Sequence, residues 1–449
     1  MANTEARMDQ RSQSPHARGA ILSMGDELTL GQKLDTNGQW LAQQLVDRGI
    51  VPVEHVTVPD DLDATVATLR RLASVVDVII STGGLGPTAD DLVREALARA
   101  SDDVLVEDVE SVRQIEGYFR GRGRSMSPLN RVQALRPSRG TSLRNGHGTA
   151  PGLFAKIRAC DVFCMPGPPR EMMPMFAASV VPMLRPVAGR AVLTRALHCF
   201  GIGESDLATR LGPLMERGRN PLVGTTASGG VVSIRIRYEG ESDAAVANAA
   251  TEEAERAARV AGAPFLFGAG EDSLPSVVLD ALKADGKALA VVESCTGGLV
   301  GEMLTEIAGS SAAFVGGWIT YSNELKKSLV GVPAELLESV GAVSAEVASA
   351  MAIGGVHRSG AGYAIAITGI AGPDGGSAAK PVGTVWIALA ERSVGGANGE
   401  PSISDVRQFR MGNDRRSVRE WSARAALMML WMRLRGVKAP MLREFVAGS

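Results

Sequence analysis

Glu293-Ser294-Cys295-Thr296-Gly297-Gly298 puts a hydroxyl nucleophile into a glycine-rich turn. An apolar run, Ala288–Val292, precedes it and a helix-like segment, Leu299–Ile307, follows, so the order reads strand, tight turn, helix. Such a turn holds a serine at the carboxyl end of a strand, beside backbone N–H groups able to stabilise a developing oxyanion. The alternative is a plain connection whose hydroxyls cap the helix. A serine nucleophile needs a base. The one histidine in this half, His357, lies in a polar segment after a helix, which argues against a Ser-His-Asp triad and for a lysine or tyrosine partner. Tyr321 and Lys326 are the candidates: the segment ending at Tyr321 reads as a strand and Asn323 as a helix N-cap. A lysine shielded from water loses its proton near neutral pH and acts as base; a solvated helix lysine is the alternative. After the strand Tyr363–Ile367, Thr368–Gly376 forms a second glycine-rich loop, suited either to binding phosphate through its N–H groups or to serving as a flexible connection.

The first half carries its own loops. Thr82-Gly83-Gly84-Leu85-Gly86-Pro87 follows a buried-type strand and offers backbone N–H groups to a phosphate. Asp90 and Asp91 come next, at the expected start of a helix, where they would hold a divalent cation or answer the helix dipole. Gly25-Asp26-Glu27 and Pro166–Glu171 also follow strands, so all three loops can converge on one crevice of an open parallel sheet.

The elements that must position these groups alternate. Strands are expected at Ala20–Met24, Val51–Val58, Val75–Ile80 and Val162–Met165, and helices at 36–48 and 62–72, which makes a parallel sheet with helices on both faces. Between 190 and 265 the pattern becomes a small α+β module, closed by a linker at Gly268–Asp272; Ser273 then caps a helix over Leu274–Ala284. The resulting division is 1–18 as a disordered extension, 19–185 as the first domain, 186–268 as the middle module and 269–449 as a C-terminal α/β domain. A net charge of −2 and only 4% aromatic residues exclude an electrostatic or stacking footprint for nucleic acid. No apolar run is long enough to span a bilayer. Cys160, Cys164, Cys199 and Cys295 form no zinc-type pair, and a reducing cytoplasm fits them.

GDEL at 25–28, DTN at 35–37, TGGLGPTADD at 82–91, GTAPG at 148–152 and PGPPREM at 166–172 together resemble the competence/damage-inducible protein A (CinA) family. ESCTGG, YSNELK, the GAVS run at 341–344, TGIAGP and KPVGTV resemble that family's C-terminal domain. The resemblance implies an N-terminal molybdopterin-binding-like parallel-sheet domain, a small α+β linker module and a C-terminal amidohydrolase domain. It implies nicotinamide mononucleotide deamidation to nicotinate mononucleotide and ammonia. Ser294 would be the nucleophile, Lys326 the base helped by Tyr321, and the N–H groups of Thr296 and Gly297 the oxyanion hole. The loop carrying Thr368, Gly369, Gly372 and Gly375 would take the ribose phosphate, while Cys295 is expected to be a buried small residue. For the first domain it implies metal-dependent ADP-ribose pyrophosphatase activity. There Gly83, Gly84 and Gly86 would cradle phosphate, Asp90 and Asp91 would serve a divalent metal of unspecified identity, and Glu27, Asp35 and Asn37 would touch the ligand. Small-molecule nucleotides are the expected partners, the amidase domain needs no cofactor, and a homodimer is expected. A nucleotide-sensing protein with an inactive first domain, or a molybdopterin-handling enzyme, is the competing expectation. Asn130, Arg131 and Gln133 read as a polar helix face.

Overall fold

A computed structural model describes residues 14–241, 244–392, 399–412 and 414–445. They form two compact units: residues up to Leu193 together with Tyr238–Asn248, and Thr194–Arg237 together with the chain from Ala249 onward.

In the first unit, β1 (Arg18–Met24), α1 (Thr36–Val46), β2 (Val51–Val58), α2 (Leu62–Leu72), β3 (Val78–Thr82) and α3 (Val93–Ala100) alternate in chain order. Asp35 and Asp61 cap α1 and α2 by accepting from Gly38 and Ala64 N–H. A small ribbon, β4 (Leu105–Glu107) with β5 (Leu135–Pro137), flanks α4 (Val109–Arg120). The chain then adds β6 (Thr141–Leu143), β7 (Gly152–Ile157), β8 (Cys160–Met165) and α5 (Pro169–Met175). The main sheet has the order β2-β1-β3-β8-β7-β6. Its first four strands are parallel, but β7 runs antiparallel to both of its neighbours, β8 and β6, so the sheet is mixed where the sequence suggests a parallel one. The cause is local: Ile157 pairs with Cys160 across a two-residue turn, which can join only antiparallel strands. Successive residues of the central strands bury to opposite faces. Ile21, Ile80 and Phe163 pack with Leu41 of α1, and Leu22, Ile79 and Val162 with Leu72 and Leu97.

Residues 1–13 of the expected disordered extension lie outside the described residues. Its last part is not an extension, because His16 is 1% exposed and bonds Asp161, which also receives Lys156 and Arg185.

The middle module is made of β9 (Arg190–Phe200), α6 (Glu204–Leu211), β10 (Leu222–Ser228), β11 (Val231–Glu241), α7 (Ala244–Gly262) and β12 (Leu266–Ala269), with sheet order β10-β11-β9-β12. Gly268, expected in a linker, sits inside β12 and pairs with His198. The connection shortens to a turn closed by Asp272, which accepts Ala269 N–H at 2.9 Å, before Ser273 opens α8 (Leu274–Ala284) with a capping box. The module's core is continuous with that of the domain following it, as in Phe200 against Trp421 at 5.0 Å between ring centroids.

That domain runs β13 (Leu289–Glu293), α9 (Leu299–Thr305), β14 (Phe314–Ile319), α10 (Asn323–Val330), α11 (Ala334–Val340), α12 (Ala345–Ser359), β15 (Tyr363–Gly369), β16 (Thr384–Arg392), β17 (Pro401–Arg410) and α13 (Arg415–Leu434). The sheet order is β14-β13-β15-β16-β17, parallel across β14, β13 and β15 and antiparallel beyond. The carboxyl ends of the three parallel strands therefore share one edge. There Thr320 N–H bonds Glu293 O at 2.7 Å and Ser294 N–H bonds Ile367 O at 3.0 Å.

Candidate active site

Ser294 stands at the end of β13, the central parallel strand, 7% exposed. Lys326 comes from the first turn of α10, whose N-cap is Ser322 and not Asn323. Its stem is packed inward, leaving the residue 1% exposed, and Nζ donates to Ser294 Oγ at 3.1 Å and to Thr320 O at 2.9 Å. Burial pulls the Lys326 pKa below the usual lysine value. A buried lysine that sheds its proton readily, one hydrogen bond from a serine hydroxyl, is the arrangement of an activated nucleophile. His357 pairs with Glu400 at 3.8 Å instead. Cys295 is buried in the core, and burial pushes its thiol up to about 12, so it is inert.

The turn after Ser294 spends its donors differently from expectation. Gly297 N–H closes the turn onto Ser294 O at 3.1 Å, so it is not a free oxyanion donor. The helix N-terminus is also occupied: the Glu293 carboxylate, 1% exposed, accepts from Gly298, Val300 and Gly301 N–H at 3.0, 3.2 and 3.0 Å. Left without an acceptor among the described residues are the N–H groups of Cys295 and Thr296 and the buried Thr296 hydroxyl. The N–H groups open to an oxyanion are thus those of Cys295 and Thr296, one residue back from the expected Thr296 and Gly297. Gly297 and Gly298 serve instead through positive φ, 62° and 94°, which lets the turn fold tightly enough for Glu293 to reach across it.

The Thr368–Gly376 loop leaves the adjacent strand end. Thr368 is buried and donates to Ala342 O at 2.8 Å, tying the loop to the GAVS run. Gly369 lies in β15 against β16, where an added Cβ would meet Val385 Cγ2 at 2.7 Å. Gly372 and Gly375 adopt positive φ and keep N–H groups without an acceptor among the described residues. Arg415, at the start of α13, donates to Gly372 O at 2.7 Å and to the Tyr321 hydroxyl at 2.9 Å. Tyr321 is therefore not hydrogen-bonded to Lys326 through its phenol. It is 58% exposed and held by Arg415, and only its carbonyl comes within 3.5 Å of Lys326 Nζ. Arg419, one turn along α13, clamps Thr296 O with Nε at 3.1 Å and Nη2 at 2.8 Å. Residue type and spacing do not mark Glu293, Arg415 or Arg419 for these contacts. The i, i+4 spacing of two arginines opening the last helix marks one face, but nothing in the sequence says what that face meets.

In the first unit the three loops do converge. Asn37 Nδ2 donates to Gly167 O at 2.7 Å and to Thr82 Oγ1 at 3.2 Å. Gly83 approaches Met24 so closely that a Cβ would lie 2.4 Å from its carbonyl oxygen. The cradle expected of the glycines is mostly spent: Gly83 N–H bonds Met165 O and Gly86 N–H bonds Asp91 Oδ1, leaving Gly84. Asp91 also accepts from Thr88 through N–H and hydroxyl, so it staples the loop and has three of its lone-pair positions taken. Asp35 is the α1 cap. Asp90 and Asp91 precede α3, which begins at Val93. Asp90 remains exposed, and Asp26, Asp90 and Glu27 lie near enough to Asp60 that, after burial, their charges raise its pKa. Glu27 has Lys33 at 3.7 Å. Among the described residues no three acidic, histidine or cysteine side chains form a ready metal cage. Beneath the loop, Arg94 is 3% exposed and holds the carbonyls of Leu85 and Gly86; burial lowers it to about 10. Gln133 is buried against Leu85 O and Arg131 pairs with Glu107, so the segment read as one polar face is a 3₁₀ turn with divided roles.

Fold and site define a modular α/β protein with a molybdopterin-binding-like first domain. Three family profiles match in turn: a probable molybdopterin binding domain over residues 20–186, a damage-inducible protein CinA KH domain over 194–268, and the CinA C-terminal domain over 271–434. A CinA-like protein of Synechococcus sp. is 43% identical over 381 residues, covering 84% of this chain and 91% of its own. Another from Trichormus variabilis is 41% identical over 417 residues, covering 92% and 98%. The crystal structure of competence/damage inducible protein CihA from Agrobacterium tumefaciens is 42% identical, covers 36% of this chain and 93% of its own, and superposes with a TM-score of 0.33. The chain belongs to the CinA family. All four cysteines are free and buried, and no described helix is long and apolar enough to cross a membrane.

Proposed function

We propose that the C-terminal domain is a Ser-Lys amidohydrolase that converts nicotinamide mononucleotide and water to nicotinate mononucleotide and ammonia. The observation that carries this is Lys326 Nζ, buried and 3.1 Å from Ser294 Oγ. Neutral Lys326 takes the Ser294 proton as Oγ attacks the carboxamide carbon. The oxyanion meets the N–H groups of Cys295 and Thr296. On collapse Lys326 returns the proton to the leaving nitrogen, and ammonia departs from a serine ester. Water then attacks that ester, giving a proton to Lys326, which passes it to Ser294 Oγ as the carboxylate product leaves. The free N–H groups of Gly372 and Gly375 suit the ribose phosphate. Tyr321, being exposed, is better placed to cover the substrate than to move the serine proton. Ammonia release by the purified chain, abolished in Ser294→Ala, is the expected result; equal rates in both proteins would remove Ser294 as nucleophile.

For the first domain, the exposed Asp90, with Asp91 tied into the loop, is the carboxylate we assign to a divalent cation serving a nucleotide diphosphate, whose phosphate oxygens would complete the shell because the described side chains form no ready cage. The cation would neutralise phosphate charge. The test is AMP formation from ADP-ribose across several metals; its absence favours a sensing role. A reducing, cytoplasmic setting accords with the four unpaired thiols.

A further inference from the structure

We infer that Arg419 is a positioning residue that holds the Ser294 turn in the one peptide orientation that leaves its oxyanion donors facing the substrate. The inference rests on the serine-hydrolase reading above. The Thr296–Gly297 peptide is gripped at both ends. Its N–H bonds Ser294 O at 3.1 Å, and its carbonyl receives Nε and Nη2 of Arg419 at 3.1 and 2.8 Å. The grip has a reason. Gly297 has φ of 62° and no side chain, and its ideal Cβ position meets only Arg419 Nη2, at 3.8 Å, so no side chain of its own anchors that end of the peptide. Rotating it would swing the Thr296 carbonyl, a negative dipole, away from the guanidinium and break the bond to Ser294 O. An oxyanion site works only if its dipoles are set beforehand.

Glu293 cannot replace this clamp. It anchors the N–H groups of Gly298, Val300 and Gly301, all beyond the flexible peptide, while Ser294 is anchored before it by Ile367 O. Arg419 alone reaches the carbonyl between these anchors among the described residues. It comes from α13, an element distant in sequence whose buried residues, Val418 and Trp421, are fixed in the core, so the guanidinium is carried on a rigid support. A paired fork to one oxygen restricts the carbonyl more than a single donor would.

The test compares Arg419→Ala and Arg419→Lys with wild type and Ser294→Ala in the full chain. In Arg419→Ala, kcat for ammonia release should fall roughly 10–100-fold, less than the roughly 10²–10³-fold for removing an oxyanion donor outright, with KM and the pH midpoint unchanged. Arg419→Lys, which supplies one donor, should recover part of the loss. A fluorophosphonate, which needs the same serine and oxyanion donors but no nicotinamide, should label Ser294 more slowly in Arg419→Ala. Wild-type kcat and labelling in a folded Arg419→Ala protein would overturn the inference. So would a uniform loss of kcat, KM and melting temperature with no rescue by lysine. If wild type releases no ammonia yet labels at Ser294, the substrate reading fails alone, and the labelling rates still decide the role of Arg419.

Discussion

Replacing Lys326 by methionine keeps the length and apolar stem of the side chain and removes its charge and donors. The catalytic effect follows from the single bond to Ser294 Oγ. Without it no other described side chain is placed to take that proton, and loss of a general base costs about 10²–10⁴-fold in rate. The stability effect has two opposing parts. Thr320 O loses its 2.9 Å donor, and a buried carbonyl left unpaired costs about 1–3 kcal/mol. Against this, the variant no longer carries a buried ammonium. That second part depends on pH with a definite sign. Burial lowers the folded Lys326 pKa, so between it and the unfolded value of about 10.4 the unfolded chain binds more protons than the folded one. Wild-type stability should therefore rise with pH across that window, by about 1.4 kcal/mol for each tenfold difference in proton affinity, and Lys326→Met should lack this rise. Urea unfolding at a series of pH values from 6 upward measures the difference. Lys326→Met should compare best with wild type at the acid end and worst at the alkaline end. Wild-type turnover should climb with pH as Lys326 loses its proton, then level off. A stability difference that does not vary with pH, or a Lys326→Met enzyme within tenfold of wild-type kcat, would refute the assignment of Lys326 as a buried base.

Glu293→Gln replaces a carboxylate that accepts three N–H groups, and should cost about 2–4 kcal/mol in urea unfolding while slowing turnover. Gly83→Ala sets a Cβ against Met24 O at a φ of 102°, and should lose about 1–3 kcal/mol or more by calorimetry. In the first domain Asp91→Ala should lower the melting temperature, since it frees Gly86 and Thr88, whereas Asp90→Asn should leave it unchanged and weaken Mn²⁺ binding by titration calorimetry. Burial alone would raise Asp161, but His16, Lys156 and Arg185 outweigh it and hold the carboxyl well below its usual value. Its stabilisation is present above the unfolded pKa of about 3.9 and lost as pH falls below, a loss absent from Asp161→Asn in acid-unfolding curves.

The elements were legible where one residue property settled them. β2, α2 and α8 match their expected limits because alternation, a capping aspartate and a capping serine each act within a few residues. The mixed sheet was hidden because a two-residue turn at Arg158 and Ala159 carries no glycine or asparagine to announce it. At the site, Ser294 is legible as a candidate from residue type and turn, and the lack of a well-placed histidine points to Tyr321 and Lys326 alike; only the family resemblance makes Lys326 the base. What escaped was the hydrogen-bond accounting: which N–H groups are already spent depends on Glu293, at the end of β13, reaching across the turn to the start of α9, and the turn's carbonyl is held by an arginine 123 residues away. The resemblance pairs Tyr321 with the lysine, but the end of a strand and the start of a helix point neighbouring side chains in different directions, and the phenol meets Arg415.

Glycine-rich loops pose the same physical problem in both units. A loop that must bring backbone close to a ligand cannot carry side chains there, so it loses the packing that would fix it. In each unit an arginine from a helix supplies the missing constraint by holding loop carbonyls. Arg94 takes those of Leu85 and Gly86, and Arg419 takes that of Thr296. Carbonyls are the useful handle, because holding them leaves the N–H groups free for an anion. A guanidinium suits the role, since it donates in a planar fork and has no accepting atom to compete for those N–H groups. Carboxylates do the opposite at the same loops: Asp91 and Glu293 consume N–H groups and so mark which donors are structural. The N–H groups left without an acceptor among the described residues, at Gly84 in one loop and at Cys295 and Thr296 in the other, are those that remain open to an anionic ligand or transition state.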